Sequence, residues 1–494
     1  MSGIQKRKRP NILWYCTDQQ RFDTIHALGN PYINTPNLDK LVKTGVAFTQ
    51  AYTQAPVCTP SRASFLTGRY PCSHHVHRNG ADYFPSSETL VTKLLAESGY
   101  DCGLTGKLHL SRTKGRVEAR PDDGYRVFHW SPQHRPDYPE GNAYAEWLKN
   151  EKGVDHKGLY KDLGGICGPG VPVEYHQTTW CSEMAINFIT EKRDGPWLMS
   201  INPFDPHPPF DPPQEYLDHY KMRPLPLPLF KESDIERQKM FRNIDQQVVE
   251  AINPLAYDSN KVETIDPSVT DHVAPSSYDI RMVTACYYGM IELIDAQLGR
   301  IIDVLRETNQ LDNTIIVFNS DHGELLGDHG LIYKGCRFFE SLVHVPLIIS
   351  WPEGYGKGII SEGLVELVDI APTLLEAAGL KIPYYMQGKS LNSILKGVAQ
   401  PDFHKPYVIS EYNDALGAPP NATHGSMYFD GRYKIVVYHG HEIGEIFDLK
   451  NDPGEFTNLW DLPEYRDLKL DLLKKHFDAM MKSSDAGIER TDIY

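Results

Sequence analysis

Cys58-Thr59-Pro60-Ser61-Arg62 sets a thiol four residues ahead of a guanidinium, at what reads as the start of a helix. Thr59 suits the N-cap and Pro60 the first helical position. Cys58 would then lie beside unpaired N–H groups at the positive end of a helix dipole. That position suits an anion, or nucleophilic chemistry performed on one.

Other chemistry-bearing groups fall just after apolar, strand-like runs. Asp18-Gln19 follows residues 11–17, and Lys107 and His109 follow residues 100–105. His207 follows 197–201, and Asp321-His322-Gly323-Glu324 follows 314–318. Ligands of open α/β sheets bind beyond the carboxyl ends of the strands, so these ends are expected to converge on one site. Asp18, Gln19, Asp321 and His322 offer two carboxylates, an amide oxygen and an imidazole, a set suited to a divalent cation. Lys107, His109, His207 and Lys334 read as a cationic shell around a tetrahedral anion. The run Cys72-Ser73-His74-His75-Val76-His77 is read as a polar loop near the pocket, since no partner cluster for a second metal is visible.

These groups need a scaffold, and the pattern supplies one. Helical periodicity covers residues 89–98 and 281–307, and a further buried strand is expected over 345–349. Alternation of apolar runs with helices predicts the α/β class, with a large, mainly parallel sheet between helices. Residues 206–275 break the pattern with clustered prolines. They read as an insertion that covers the active site, serves subunit contact, or merely elaborates the surface. After about residue 400 the style changes to short strands, at 407–409 and 433–438, and a helix over 463–482. The expected division is a catalytic part, 1–400, and a smaller C-terminal α+β part, 401–494.

The chain has 494 residues, 40% apolar and 23% charged, with a formal net charge of −15. That charge argues against nucleic acid as the main partner, and an anionic substrate must be drawn in by local positive charge. No apolar run approaches the ~20 residues of a membrane span. Lys6-Arg7-Lys8-Arg9 runs straight into a strand pattern and reads as a solvated tail, not a secretory signal. The eight cysteines are scattered, with no C-x-x-C pair. They read as reduced thiols, and a cytoplasmic location is expected. Residues 483–494 have little core of their own and are read as a tail able to pack on a second subunit.

The string C-x-P-S-R-x-x-x-L-T-G-R over residues 58–69 resembles the type I sulfatase family. So do Thr35-Pro36-Asn37-Leu38-Asp39, Gly106-Lys107-Leu108-His109, Ser320-Asp321-His322-Gly323 and Asp448-Leu449-Lys450-Asn451-Asp452-Pro453-Gly454-Glu455. The resemblance covers nearly the whole chain. It implies the alkaline phosphatase superfamily fold and an enzyme that hydrolyses sulfate monoesters. It also implies that a formylglycine-generating enzyme oxidises Cys58 to formylglycine. In that scheme the hydrated aldehyde, activated by the metal at position 58, attacks sulfur and leaves a sulfated enzyme. The second hydroxyl then expels sulfate, with His109 as base and Lys107 beside it. Arg62 steadies the nucleophile, His207 and Lys334 contact the ester oxygens and one of them protonates or stabilises the leaving group, and Asn79 lies near the sulfate.

One departure bears on the substrate. Common sulfatases offer Asp-Asp and Asp-Asn to calcium, whereas this chain offers Asp18-Gln19 and Asp321-His322. One carboxylate fewer and one imidazole more admits Mn²⁺ or Zn²⁺ beside Ca²⁺. The set resembles the phosphonate monoester hydrolase branch, whose members also cleave phosphodiesters, so that activity is the alternative to an arylsulfatase-type reaction. A thiolate phosphatase would place its arginine where this chain has Ser64, so the spacing argues against it. A pseudoenzyme is disfavoured by retention of the full set of groups.

Overall fold

The computed structural model describes residues 9–492, apart from 114–116, 138–139, 164, 249, 258–276, 417–421 and 486. Its main sheet has eight strands, in the order Val127–Trp130, Asp101–Gly106, Trp197–Asn202, Asn11–Thr17, Thr314–Ser320, Leu347–Ser350, Val46–Phe48 and Ile359–Ser361. Asn11–Thr17 lies at the centre, parallel to both neighbours, with Leu13 opposite Met199 and Ile316. Every residue of this strand is buried. It therefore reads as a continuous apolar run and not as an alternation. Its side chains still divide by face: Ile12, Trp14 and Cys16 enter one core, Leu13 and Tyr15 the other.

Helices cover both faces, as the α/β reading requires. Ile294, Leu298, Ile301 and Leu305 of the long helix Ile280–Glu307 pack into the second core. Helices Cys58–Thr67, Val91–Glu97 and Ile370–Ala377 pack into the first. The strand expected over 345–349 begins instead at Leu347 and runs antiparallel to both neighbours. Val345 gives its N–H to Ala51 at 2.9 Å, outside the ladder, and Pro346 has no N–H to give.

A four-stranded antiparallel meander follows: Val408–Asn413, His424–Phe429, Tyr433–His439 and Gly444–Asp448. Met427 and Val436 join the core that holds Val57, Phe338 and Leu342, while Tyr428 and Ile435 face the helix Arg466–Ser483. Lys434, fully buried, reaches Glu340 at 2.9 Å and Glu455 at 2.5 Å, tying the meander to the helix Glu340–Val343 by a paired charge.

The described part of the insertion contains helices Gln214–Asp218 and Glu232–Lys239. It continues to a segment that braces the loop bearing Lys334: Gln247 donates to the Lys334 carbonyl at 3.1 Å, and Cys336 to that of Asp245 at 2.8 Å. Its remainder, together with Lys6 to Lys8, lies outside the described residues. Among the described residues, no helix is long and apolar enough to cross a membrane.

The strand that delivers Lys107 ends on Gly106, whose φ is +96° and whose absent Cβ would stand 2.0 Å from the Asn202 carbonyl oxygen. Gly106→Ala should therefore destabilise the fold by about 3 kcal/mol, since the clashing atom is backbone of the next strand and cannot step aside. Urea unfolding of the variant beside the parent checks this; equal midpoints would count against the packing described.

Candidate active site

Four strand ends build the floor. After Asn11–Thr17 the chain turns through Gln19, with φ +71°, and the Gln19 N–H meets Asp321 Oδ1 at 3.0 Å. The same oxygen takes the His322 N–H at 2.9 Å, and Asp321 Oδ2 takes Arg62 Nε at 2.9 Å. Arg62 Nη2 faces Asp18 Oδ2 at 3.4 Å, and Nη1 donates to the Lys107 carbonyl at 3.2 Å. Both carboxylates are fully buried, so charged partners are what permits them there.

Helix Cys58–Thr67 begins at Cys58 itself. Val57, extended at φ −149°, is the N-cap, not Thr59 as the sequence suggested. The capping partner comes from elsewhere: Asn79 Oδ1 accepts the Thr59 N–H at 3.0 Å. Pro60 still lies among the first four residues, where no intrahelical N–H is needed. All ten residues are buried, so this helix has no solvent face. Ser61 Oγ donates to the Asp321 carbonyl at 2.6 Å, joining the helix to the loop after Thr314–Ser320.

The Cys58 sulfur is the centre of the cluster. His322 Nε2 lies at 3.1 Å, Lys334 Nζ at 3.1 Å and Asp18 Oδ1 at 3.7 Å. Lys334 Nζ also donates to Gln19 Oε1 at 2.7 Å and to His207 Nε2 at 2.8 Å. Lys107 Nζ reaches Asp18 Oδ2 at 2.5 Å. His109, at φ +60°, is oriented by Glu118, which takes its backbone N–H at 3.0 Å, and its ring interacts with the Cys58 sulfur. Thus every catalytic and metal residue expected from sequence falls within one constellation, with Asn79 at its edge on the helix start.

The electrostatics follow from that crowding. Burial opposes ionisation of the Cys58 thiol, but the Lys107 and Lys334 ammonium groups and His322 outweigh it and hold it well below its ordinary value. Burial and Lys334 push His207 down to about 3, so its ring is neutral. Its Nδ1–H donates to the Pro208 carbonyl at 2.7 Å, which leaves Nε2 as acceptor toward Lys334. Burial works against a charged His322, yet Asp321 and Cys58 raise it.

One ligand atom each from Asp18, Cys58, Asp321 and His322 lies within 4.8 Å of the others. Hard carboxylate oxygens with an imidazole nitrogen suit one divalent cation, and the Gln19 amide oxygen adjoins them through Lys334. Among the described residues this is the one such group. The histidine run at 72–77 forms no second site there: His74 is buried, with Nε2 on Ser64 Oγ at 2.9 Å and Nδ1 taking the Val76 N–H at 3.0 Å.

Comparison with known proteins agrees with this geometry. The sulfatase family model matches residues 10–380. The chain belongs to the sulfatase family. By that membership this sulfatase is a sulfuric ester hydrolase. A model of the N-sulphoglucosamine sulphohydrolase C-terminal region matches residues 327–482. An arylsulfatase of Clostridium perfringens is 30% identical, covering 97% of this chain and 96% of its own length. The multifunctional alkaline phosphatase superfamily protein PehA of Trinickia caryophylli is also 30% identical, with 97% and 96% covered. Among solved structures, a phosphonate monoester hydrolase of Agrobacterium radiobacter superposes with TM-score 0.82 at 25% identity, covering 98% of each chain.

Sequence reasoning gave no role to two buried acids of this sulfatase. Glu324 sits three residues after Asp321 and bonds the Gln19 amide. Asp205, pushed up to about 7 by burial, accepts from Thr178 Oγ1 at 2.6 Å, and its carbonyl takes the Asp18 N–H at 3.1 Å. The signal for Glu324 was a second carboxylate in the short polar run Asp321-His322-Gly323-Glu324 that follows an apolar strand.

Proposed function

We propose that this sulfatase hydrolyses sulfate monoesters of small molecules, arylsulfatase fashion, with Cys58 carried as formylglycine and one divalent cation held by Asp18, Gln19, Asp321 and His322. The observation that carries the reading is the Cys58 side chain at the N-terminus of a buried helix, within reach of Asp18, His322 and Lys334 at once. Formylglycine would supply a hydrated aldehyde oxygen as nucleophile, and the cation would supply Lewis acidity and charge neutralisation at the ester oxygens.

The chain's own residues do the rest. Lys107 and Lys334 flank the position of the Cys58 sulfur and oppose the charge that grows on the non-bridging oxygens. Lys334 is held by the neutral His207 Nε2, so a proton on Lys334 Nζ is available to the departing alkoxide or phenoxide. His109 interacts with the Cys58 sulfur, and burial and the Lys107 ammonium depress its proton affinity. It is the residue suited to accept a proton at position 58. Arg62 acts through Asp321 and Asp18 and positions them. Asn79 fixes the helix start that presents Cys58.

A second reading keeps this machinery but acts on phosphonate monoesters or phosphodiesters. The Asp18, Gln19, Asp321 and His322 set and the structural likeness to a phosphonate monoester hydrolase favour it. Measuring kcat/KM for an aryl sulfate and an aryl phosphonate monoester on one preparation separates the two. Sulfate is expected to be preferred; a phosphonate preference of several orders would overturn the ranking. The imidazole favours Mn²⁺ or Zn²⁺ over Ca²⁺. Chelation should therefore abolish turnover and added Mn²⁺ restore it, whereas undiminished activity in excess chelator would exclude the metal reading.

We also place the boundary between catalytic and C-terminal parts near residue 400. All eight cysteines are free, which supports a reducing, cytoplasmic setting. Exposed Leu470, Phe477 and Met481 on the last helix support subunit contact there and through the tail, part of which lies outside the described residues.

A further inference from the structure

Gln19 is an unusual metal ligand, because an amide presents an acceptor at one end and a donor at the other. Only its oxygen can serve a cation. Two neighbours decide which end points inward. Lys334 Nζ, a donor only, lies 2.7 Å from Oε1. Glu324 Oε2, an acceptor only, takes the Nε2–H on the far side. Gln19 and Glu324 are both fully buried, so no solvent can substitute for either partner.

The Glu324 carboxylate does more than meet this amide. Its Oε1 takes the Leu326 N–H at 3.0 Å and the Tyr333 N–H at 2.5 Å. Leu326 and Tyr333 have φ of +49° and +69°, and Gln19 itself has +71°. Three non-glycine residues in left-handed backbone are thus joined on one carboxylate. Such conformations are disfavoured for non-glycine residues and persist only where the surroundings fix them. Tyr333 immediately precedes Lys334, so the same group holds the approach to that lysine.

We propose that Glu324 is a positioning residue that fixes the orientation of the Gln19 amide, so that its oxygen faces the divalent cation. The inference rests on the metal reading above. In Glu324→Gln the new amide keeps an oxygen for Leu326 and Tyr333 but sets an NH₂ against Gln19. The Gln19 amide must then turn its oxygen outward and its NH₂ toward the cation, or two donors collide.

The test is calorimetric titration of Mn²⁺ into metal-free, full-length protein: the parent, Glu324→Gln, Gln19→Leu and the double variant. Loss of a ligand-orienting partner weakens metal binding roughly 10–100-fold, and that loss is expected for Glu324→Gln. In the Gln19→Leu background the amide is gone, so adding Glu324→Gln should change affinity by less than about twofold, the signature of action through Gln19. Equal losses in both backgrounds would overturn the proposal by showing a general structural effect. A loss under about threefold in the parent background would overturn it too, since second-sphere partners of this kind ordinarily cost more. Absence of Mn²⁺ binding by the parent would instead strike the metal reading itself, and the proposal with it. Because the cycle compares backgrounds, a common loss of folding in the Glu324→Gln proteins also registers as an equal loss.

Discussion

Cys58→Ala should lower kcat/KM for an aryl sulfate by roughly 10⁴-fold or more, the scale seen when a nucleophile is deleted from an otherwise intact site. The side chain is small and 1% exposed, so its truncation leaves only a minor cavity and the fold should persist. Lys107, Lys334 and the neutral His207 remain in place, and the activity left over is what those groups give without covalent participation. A structural thiol would behave differently. Its removal would cost stability of about 1 kcal/mol and a small change in rate, by the usual loss for a buried methylene-sized group. Steady-state kinetics with thermal unfolding on the same sample distinguishes the two, and a variant within tenfold of the parent rate would remove Cys58 from the reaction.

Arg62→Met carries the largest expected effect on stability. The guanidinium is 1% exposed and is shared by Asp321 at 2.9 Å and Asp18 at 3.4 Å, two carboxylates with no exposure. Removing one partner of such a buried group strands the other, and costs of about 3–5 kcal/mol are typical. Lys107 keeps its contact with Asp18, so Asp321 bears most of the loss. The defect should be larger in chelator than with Mn²⁺ present, since a cation would neutralise the same carboxylates. Denaturant midpoints in both conditions measure it. A midpoint unchanged from the parent would mean that Arg62 does not compensate these charges.

The parallel core was legible because its strands are buried on both faces. Asn11–Thr17 and Thr314–Ser320 read as plain apolar runs, and the polar groups at their ends stood out for that reason. Asp18, Gln19, Asp321 and His322 were therefore visible as a set. The cap of helix Cys58–Thr67 was not, because its partner Asn79 is brought there by tertiary structure, and local propensity pointed to Thr59. Lys334 was visible only as one member of a cationic set, without a signal of its own. A single lysine ordinarily lies in solvent, yet this one is 2% exposed because His207 and Gln19 accept from it.

Other features needed the fold. The meander strands His424–Phe429 and Gly444–Asp448 carry Gly425, Ser426 and Gly444 and gave weak strand signals, whereas Tyr433–His439, rich in β-branched and aromatic residues, was plain. The Pro-rich insertion showed no period because its prolines interrupt regular elements, and its backbone contacts from Gln247 and Asp245 to the Lys334 loop leave no mark on side-chain pattern. Glu324 stood in the run Asp321-His322-Gly323-Glu324 but carried no assigned role. Its meaning lies in the Gln19 amide, 305 positions away in sequence.

The central claim is that Cys58 acts as formylglycine and not as a thiol. Peptide mass spectrometry of the segment containing Cys58 tests it most directly, run on preparations with different aldehyde content and read against their aryl sulfatase activity. Activity should rise in proportion to the aldehyde fraction and extrapolate to zero for thiol-only protein. Full activity in protein that carries only the thiol would contradict the account.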